Sequence, residues 1–326
     1  MFLPSGAKEY TSGHHSFVVK STGDAMPKNS TDITAKYTNS FCKTMFAEWA
    51  IGLIVYILAI ALSINHSISL PIGSAVMFLS YIAMFNAIHS ASHNHFSRNI
   101  SKYKWMDRVV GEISANLTHI SYEPFRKTHA EHHKHTNVRD MDPDFLPNFK
   151  SGKLFIYVFL HTLIRVFSAI PFFGKILIKT LPGGMGQRWE SRKKIGFFIH
   201  SDNRTRTTCM IILTTIFTGY GAYGFWLVFL PHILQTYVIV FIFMWLPHRS
   251  RKPSRYENTR DQITPLINRV SFFAAAIDFH MEHHLYPSVP QPYLRKLHFE
   301  ILDELDENKA VYVGRFTGKP LKRRSR

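Results

Sequence analysis

FAEWAIGLIVYILAIALSIN, residues 46–65, is one apolar run in which Glu48 is the single charge. A helix of about 20 such residues crosses a bilayer, and this stretch has that length. Similar runs follow. Residues 68–88, ISLPIGSAVMFLSYIAMFNAI, carry no charge, and neither does any residue from Thr207 to Leu246. The last run holds two crossings, with GYGAYG at Gly219–Gly224 as the bend. Spans at about 46–65, 68–88, 207–222 and 225–246 pair into two hairpins. The fold class is therefore an all-α integral membrane protein with four transmembrane helices. A mean hydropathy near zero only averages over this segregation.

Charge sets the orientation. The chain has 39 Lys and Arg against 22 Asp and Glu, a net +17. Five of the basic residues fall in 1–45, 19 in 96–206 and 15 in 247–326, and none in 46–95 or 207–246. Lys and Arg concentrate on the cytoplasmic side of membrane proteins, so both termini and the segment between the hairpins lie in the cytosol. The excess reads as attraction to anionic lipid. Nucleic acid is excluded as the partner, because the basic residues flank apolar spans and form no recognisable module. Residues 1–45 read as a mobile polar tail, residues 46–326 as one domain, and 310–326 as a basic tail. No cleavable signal is evident, so the first span acts as an anchor. Cys42 and Cys209 supply neither a disulfide framework nor a thiolate metal motif.

Between the hairpins, SKYKWMDRVVGEISANLTHI spaces Met106, Val109, Val110, Ile113, Leu117 and Ile120 as an amphipathic helix. DMDPDFLPNF reads as a turn. Leu154–Pro171 is long enough to span, yet His161 and Arg165 sit near its middle. A central charge costs at least ~2.5 kcal/mol, and one extra crossing would separate the polar clusters described next. It reads as an interfacial helix.

Ten of the 19 histidines stand in HSASHNH (89–95), HAEHHKHTN (129–137) and HMEHHLYP (280–287). His89 and His93 are four apart; His129, His132 and His133 follow i, i+3, i+4; His280, His283 and His284 repeat that spacing. On helices each set shares a face. Eight imidazoles are too many for one tetrahedral zinc and suit two metal ions, with zinc, copper, iron and nickel all open on ligand type. His95 and His135 lie two residues beyond a ligand and read as outer donors or solvated. Glu131 and Glu282 are offset from the ligand faces. Asp142 and Asp144 read equally as acceptors for ring N–H groups or as an Asp–Pro turn. The remaining histidines, among them His14, His15, His66, His119, His161, His200, His232 and His298, read as ordinary polar residues.

His-x-x-x-His, His-x-x-His-His and His-x-x-His-His interleaved with two membrane hairpins resemble the membrane fatty acid desaturase and hydroxylase superfamily, which includes bacterial beta-carotene ketolases. HTNVRDMDPD and EHHLYPSVP are similar to the runs that follow its second and third boxes. The resemblance covers residues 46 to 300. It implies a cytosolic helical cap holding two non-haem irons, with His89, His93, His129, His132, His133, His280, His283 and His284 as ligands and dioxygen as co-substrate. Some members place a ninth ligand before the third box, where LPHR supplies His248. Many members have Asp or Glu after the first histidine of the first box and glycine after the second; here Ser90 and Asn94 stand there.

Breaking an unactivated C–H bond needs an oxidant carried by a cofactor. The resemblance therefore implies an acyl-lipid desaturase, fed electrons by a separate ferredoxin or b-type cytochrome. No fused haem signature is present, LPGG at Leu181–Gly184 having leucine in the histidine's place, and no dinucleotide fingerprint appears. A carotenoid ketolase or hydroxylase is the alternative, suggested by WLPHR. A metal-binding membrane sensor is a third reading; no signalling module accompanies it.

Overall fold

The computed structural model describes residues 7–12, 15–20, 30–98, 100–138, 141–145, 152–156, 159, 215–216, 218–249, 251–259, 261–263, 278–308 and 312–314. The described residues are mostly helical. Two antiparallel strands, β1 (Ala7–Ser12) and β2 (His15–Lys20), precede helix α1 (Ser30–Thr38). Then come the long helices α2 (Lys43–Ile64) and α3 (Leu70–Ser92), followed by α4 (Lys104–Leu117) and α5 (Tyr122–His135). A third long helix, α6, runs Gly221–Trp245. The C-terminal part holds β3 (Asp261–Ile263), α7 (His280–Leu285), α8 (Gln291–Glu300), α9 (Leu302–Glu307) and β4 (Tyr312–Gly314), with β3 and β4 parallel. The two short strand pairs depart from the all-α expectation.

Three helices among the described residues, α2, α3 and α6, are long and apolar enough to cross a membrane. Ile51, Ile54, Ile57, Leu58 and Leu62 of α2 are exposed, as side chains facing lipid would be. α3 is the central helix, buried along most of its length against α2, α4 and α6. Close approach is what keeps residue 73 small: a Cβ on Gly73 would meet Ser63 Oγ of α2 at 2.2 Å. Residues 207–214 of the expected third span, most of Leu154–Pro171 and the tail from 315 lie outside the described residues. The expected bend is seen at Gly219, whose φ of +82° is left-handed, a conformation glycine takes without steric cost. α6 starts about one turn earlier than the sequence reading has it, at Gly221 rather than 225.

Helices α2 and α3 are tied to α4 and α5 at one end. Cys42, Met45, Ala87, Ile88, Ala91, Phe96, Val110, Ala115 and Tyr122 form one buried cluster joining α2, α3, α4 and α5. Trp49 Nε1 donates to Ser114 Oγ across 3.0 Å. Asp107 on α4 accepts from the backbone N–H groups of Phe96 and Ser97, both at 3.0 Å, and so pins the loop after α3. A second cluster packs Tyr37 of α1 with Met281, Leu285, Tyr286, Leu294, Leu297 and Leu305. α1 is thus docked on the C-terminal helices, although it lies within the segment expected to be a tail.

Candidate metal centre

Four segments carry imidazoles to one place. α3 ends at Ser92, so only His89 of the first box is helical, and His93 is the residue that closes the helix. The shared helical face expected for this pair is replaced by a turn. Asn94 holds φ +59°, the left-handed region that glycine and asparagine tolerate best. That explains asparagine where the resemblance expected glycine. α5 carries His129, His132 and His133, and a left-handed Asn137 (φ +62°) follows its end. α7, six residues long, carries His280, His283 and His284. The end of α6 widens to π-helical hydrogen bonding over Ile239–Trp245, and His248 follows three residues later.

Two poles result. In the first, one ring nitrogen from each of His89, His93, His129, His133 and His283 lies within 4.8 Å of all the others. Nε2 of His129 is 2.9 Å from Nε2 of His93 and 3.1 Å from Nε2 of His133. In the second, His132, His248 and His284 meet the same limit, and His280 joins them with its Nε2 2.9 Å from that of His248. The poles touch where the His133 and His284 rings stack at 4.2 Å.

The residues fit metal ions. His283 is fully buried, yet neither of its ring nitrogens has a hydrogen-bond partner; the same holds for Nδ1 of His133 and Nε2 of His284. Such groups are costly unless something occupies their lone pairs. Metal–nitrogen bonds of ~2.1 Å allow ligand separations close to those seen. Electrostatics agree: burial, with repulsion among the rings, pushes His93, His129, His133, His283 and His284 well below the usual imidazole value. Neutral imidazole is the ligating form.

Outer groups fix the rings. Nδ1 of His132 donates to Asp142 Oδ1 at 2.8 Å, and Asp142 also accepts the backbone N–H groups of Asn137 and Asp144. Nδ1 of His284 faces Thr136 Oγ1 at 3.2 Å, whose hydroxyl is 2.7 Å from the His132 carbonyl. Nδ1 of His89 faces the Gln291 amide at 3.1 Å. Burial is the largest influence on His132 and lowers it, but the Asp142 charge, the hydrogen bond to Asp142 and the Asp144 charge together outweigh burial and the group ends raised. Thr136 and Gln291 escaped the sequence reading, because neither residue type signals a site by itself.

The near neighbours are placed elsewhere. His95 donates Nε2–H to the Pro287 carbonyl at 2.8 Å and stacks on His93; burial pushes it down to about 4 despite that bond. His135 turns toward Glu131 at 3.4 Å. Glu282 occupies the far face of α7, where Oε1 accepts from His298 Nδ1 at 2.5 Å. Asp261 lies within 4.8 Å of both and accepts the Met281 N–H. Burial pushes Glu282 up to about 7 and Asp261 well above the carboxylate range, the latter also through the Glu282 charge. This buried trio braces α7, and His298, read from sequence as an ordinary polar residue, is part of it.

The sequence matches the fatty acid desaturase family over residues 65–316. It is 23% identical to fatty acid conjugase FAC2 B of Calendula officinalis over 62% of this chain and 59% of that protein. It is 22% identical to the chloroplastic sn-2 acyl-lipid omega-3 desaturase (ferredoxin) of Helianthus annuus over 83% of this chain and 62% of that one. A Delta(12) acyl-lipid conjugase of Momordica charantia is 26% identical over 64% of the chain and 57% of its own length. The matches span about 60% of the length of these relatives. With the family match covering most of the sequence and the histidine clusters compatible with iron, the chain belongs to the fatty acid desaturase family.

Proposed function

We propose that this protein is an oxygen-dependent di-iron oxidoreductase that removes two hydrogens from a fatty acyl chain held in a membrane. The observation that carries the reading is the convergence of nine imidazoles on two adjacent poles. His89, His93, His129, His133 and His283 would hold one iron, and His132, His248, His280 and His284 the other. When bound, the irons supply the dioxygen-derived oxidant that breaks an unactivated C–H bond. The balance is closed by O2 accepting four electrons, two from the C–H bonds and two from a one-electron carrier such as a ferredoxin or b-type cytochrome. Two protons leave the chain and two come from water, giving two waters and one double bond.

The residues of the chain do the positioning. Asp142, Thr136 and Gln291 hold ring orientations, while burial keeps the imidazoles neutral and water out. The apolar helices α3 and α6 end at the poles, with His89 in the last turn of α3 and His248 three residues beyond α6. We infer two hairpins with four spans from the apolar runs, both termini and the three histidine clusters in the cytosol from the charge pattern, the helical cap from the family, and residues 46–326 as a single unit. The relatives named above are named for acyl-chain chemistry, so nothing in them favours a pigment oxygenase or a sensor.

The test is expression in a host with known acyl lipids, alongside metal analysis of the purified chain. About two irons per chain and a new unsaturated acyl species are expected. His132→Ala and His283→Ala are each expected to lower product by more than ~100-fold, beyond the loss typical of outer groups, while His135→Ala keeps iron and activity. One zinc per chain, or iron retained in both ligand variants, would overturn the reading.

A further inference from the structure

Gln291 opens α8, in the Pro–Gln–Pro step that follows the third histidine box. It is buried, and its amide nitrogen lies 3.1 Å from Nδ1 of His89, 202 positions away in sequence. His89 is the one cluster ring carried by a long apolar helix. Its ring is otherwise surrounded by His93, His129 and His283, at centroid distances of 5.1, 4.6 and 4.7 Å. Among the described residues, Gln291 is the ring's hydrogen-bond partner.

We propose that Gln291 is a positioning residue for the five-histidine pole: its amide holds the orientation of His89, and its C=O edge accepts from Nδ1–H so that Nε2 offers its lone pair to the metal. The inference rests on the two-metal reading given above. A primary amide presents an N–H edge or a C=O edge, exchanged by a half-turn of its plane, and amide orientation in a structure is an assignment. Gln291 therefore matches His89 with Nδ1 bare or protonated, and a ligating ring takes the C=O edge. Metal-bound histidines commonly give their second N–H to such an acceptor. The choice of acceptor matters. Asp142 places a full negative charge behind His132, whereas Gln291 places only a dipole behind His89.

The experiment compares Gln291→Leu and Gln291→Glu in the full chain, purified in detergent and loaded with isotopically enriched iron. Chelator competition gives the affinity of each site, and Mössbauer spectra show which site responds. Leucine has nearly the same volume and no acceptor, so one of the two irons is expected to bind ~10–100-fold more weakly, with one doublet lost. Glutamate restores an acceptor, so both irons are expected to remain, with one doublet shifted. Gln291→Met repeats the first arm if the leucine variant inserts poorly. A packing role reverses the order, leucine being tolerated and a buried carboxylate damaging. That result, or wild-type affinity in the leucine and methionine variants, overturns the assignment while leaving the two-metal reading intact. A wild-type chain that binds no iron overturns both.

Discussion

The two poles of the histidine cluster are made of the same side chain and held in different ways. At the five-histidine pole, His89 backs onto a neutral amide, while Nδ1 of His133 and both nitrogens of His283 have no hydrogen-bond partner. At the other pole, His132 backs onto the carboxylate of Asp142 and His284 onto the hydroxyl of Thr136. The difference shows in the rings. His133, His283 and, at the second pole, His284 are pushed well down by burial, whereas His132 is raised because the charge and hydrogen bond of Asp142, with the Asp144 charge, together outweigh desolvation. A shared ligand type therefore does not mean a shared electronic environment. One carboxylate separates the poles, and it is the same one that fastens the chain after α5.

The largest expected effect comes from removing metal and adding acid. Five buried rings, His93, His129, His133, His283 and His284, have values below the unfolded 6.5. Each contributes stability present above pH 6.5 and lost as pH falls, since the unfolded chain then binds protons that the folded one refuses. His132 has the opposite sign: its raised value adds stability below 6.5 that is lost as pH rises. Five outweigh one. Metal-stripped protein should lose the packing of its histidine-bearing helices as pH falls below 6.5, and loading with iron should shift that loss to lower pH. Equal denaturation midpoints at pH 7.5 and 5.5 in stripped protein would break the comparison.

Asp142→Asn should come next in size. The amide still reaches His132 but no longer carries charge, so iron at that pole should weaken by ~10–100-fold while the five-histidine pole keeps its metal. Chelator titration of each site reads this directly, and uniform weakening of both would show that Asp142 acts only on the fold. Thr136→Val should be smallest. It keeps the shape and removes one hydrogen bond to His284, worth about 1 kcal/mol or roughly a fivefold change in affinity. Confinement of that change to the Asp142 pole is the expected outcome; an equal change at both poles would refute it.

The membrane helices were legible because their signal is local. An apolar run of sufficient length with at most one charge can be read without knowing its neighbours, and α2, α3 and α6 follow such runs. Helix ends were less legible. His93 was expected on the face of a continuing helix, but α3 stops at Ser92 and Asn94 takes a left-handed turn. His298 was passed over because its partner, Glu282, is 16 residues away and meets it only when α7 and α8 fold together.

By itself the sequence determined which elements are apolar and which residues are chemically suited to hold metal. Run length and side-chain type carry those facts residue by residue. Only the tertiary structure decided how the rings are shared out. His132 and His133 are adjacent in sequence, as are His283 and His284, yet each pair sends one ring to each pole. Successive helical residues diverge by about 100°, so neighbours in a box point to different poles. Which ring meets which ion, and which outer group stands behind it, depends on how α3, α5, α7, α8 and the end of α6 pack around a common point, and no stretch of sequence contains that point.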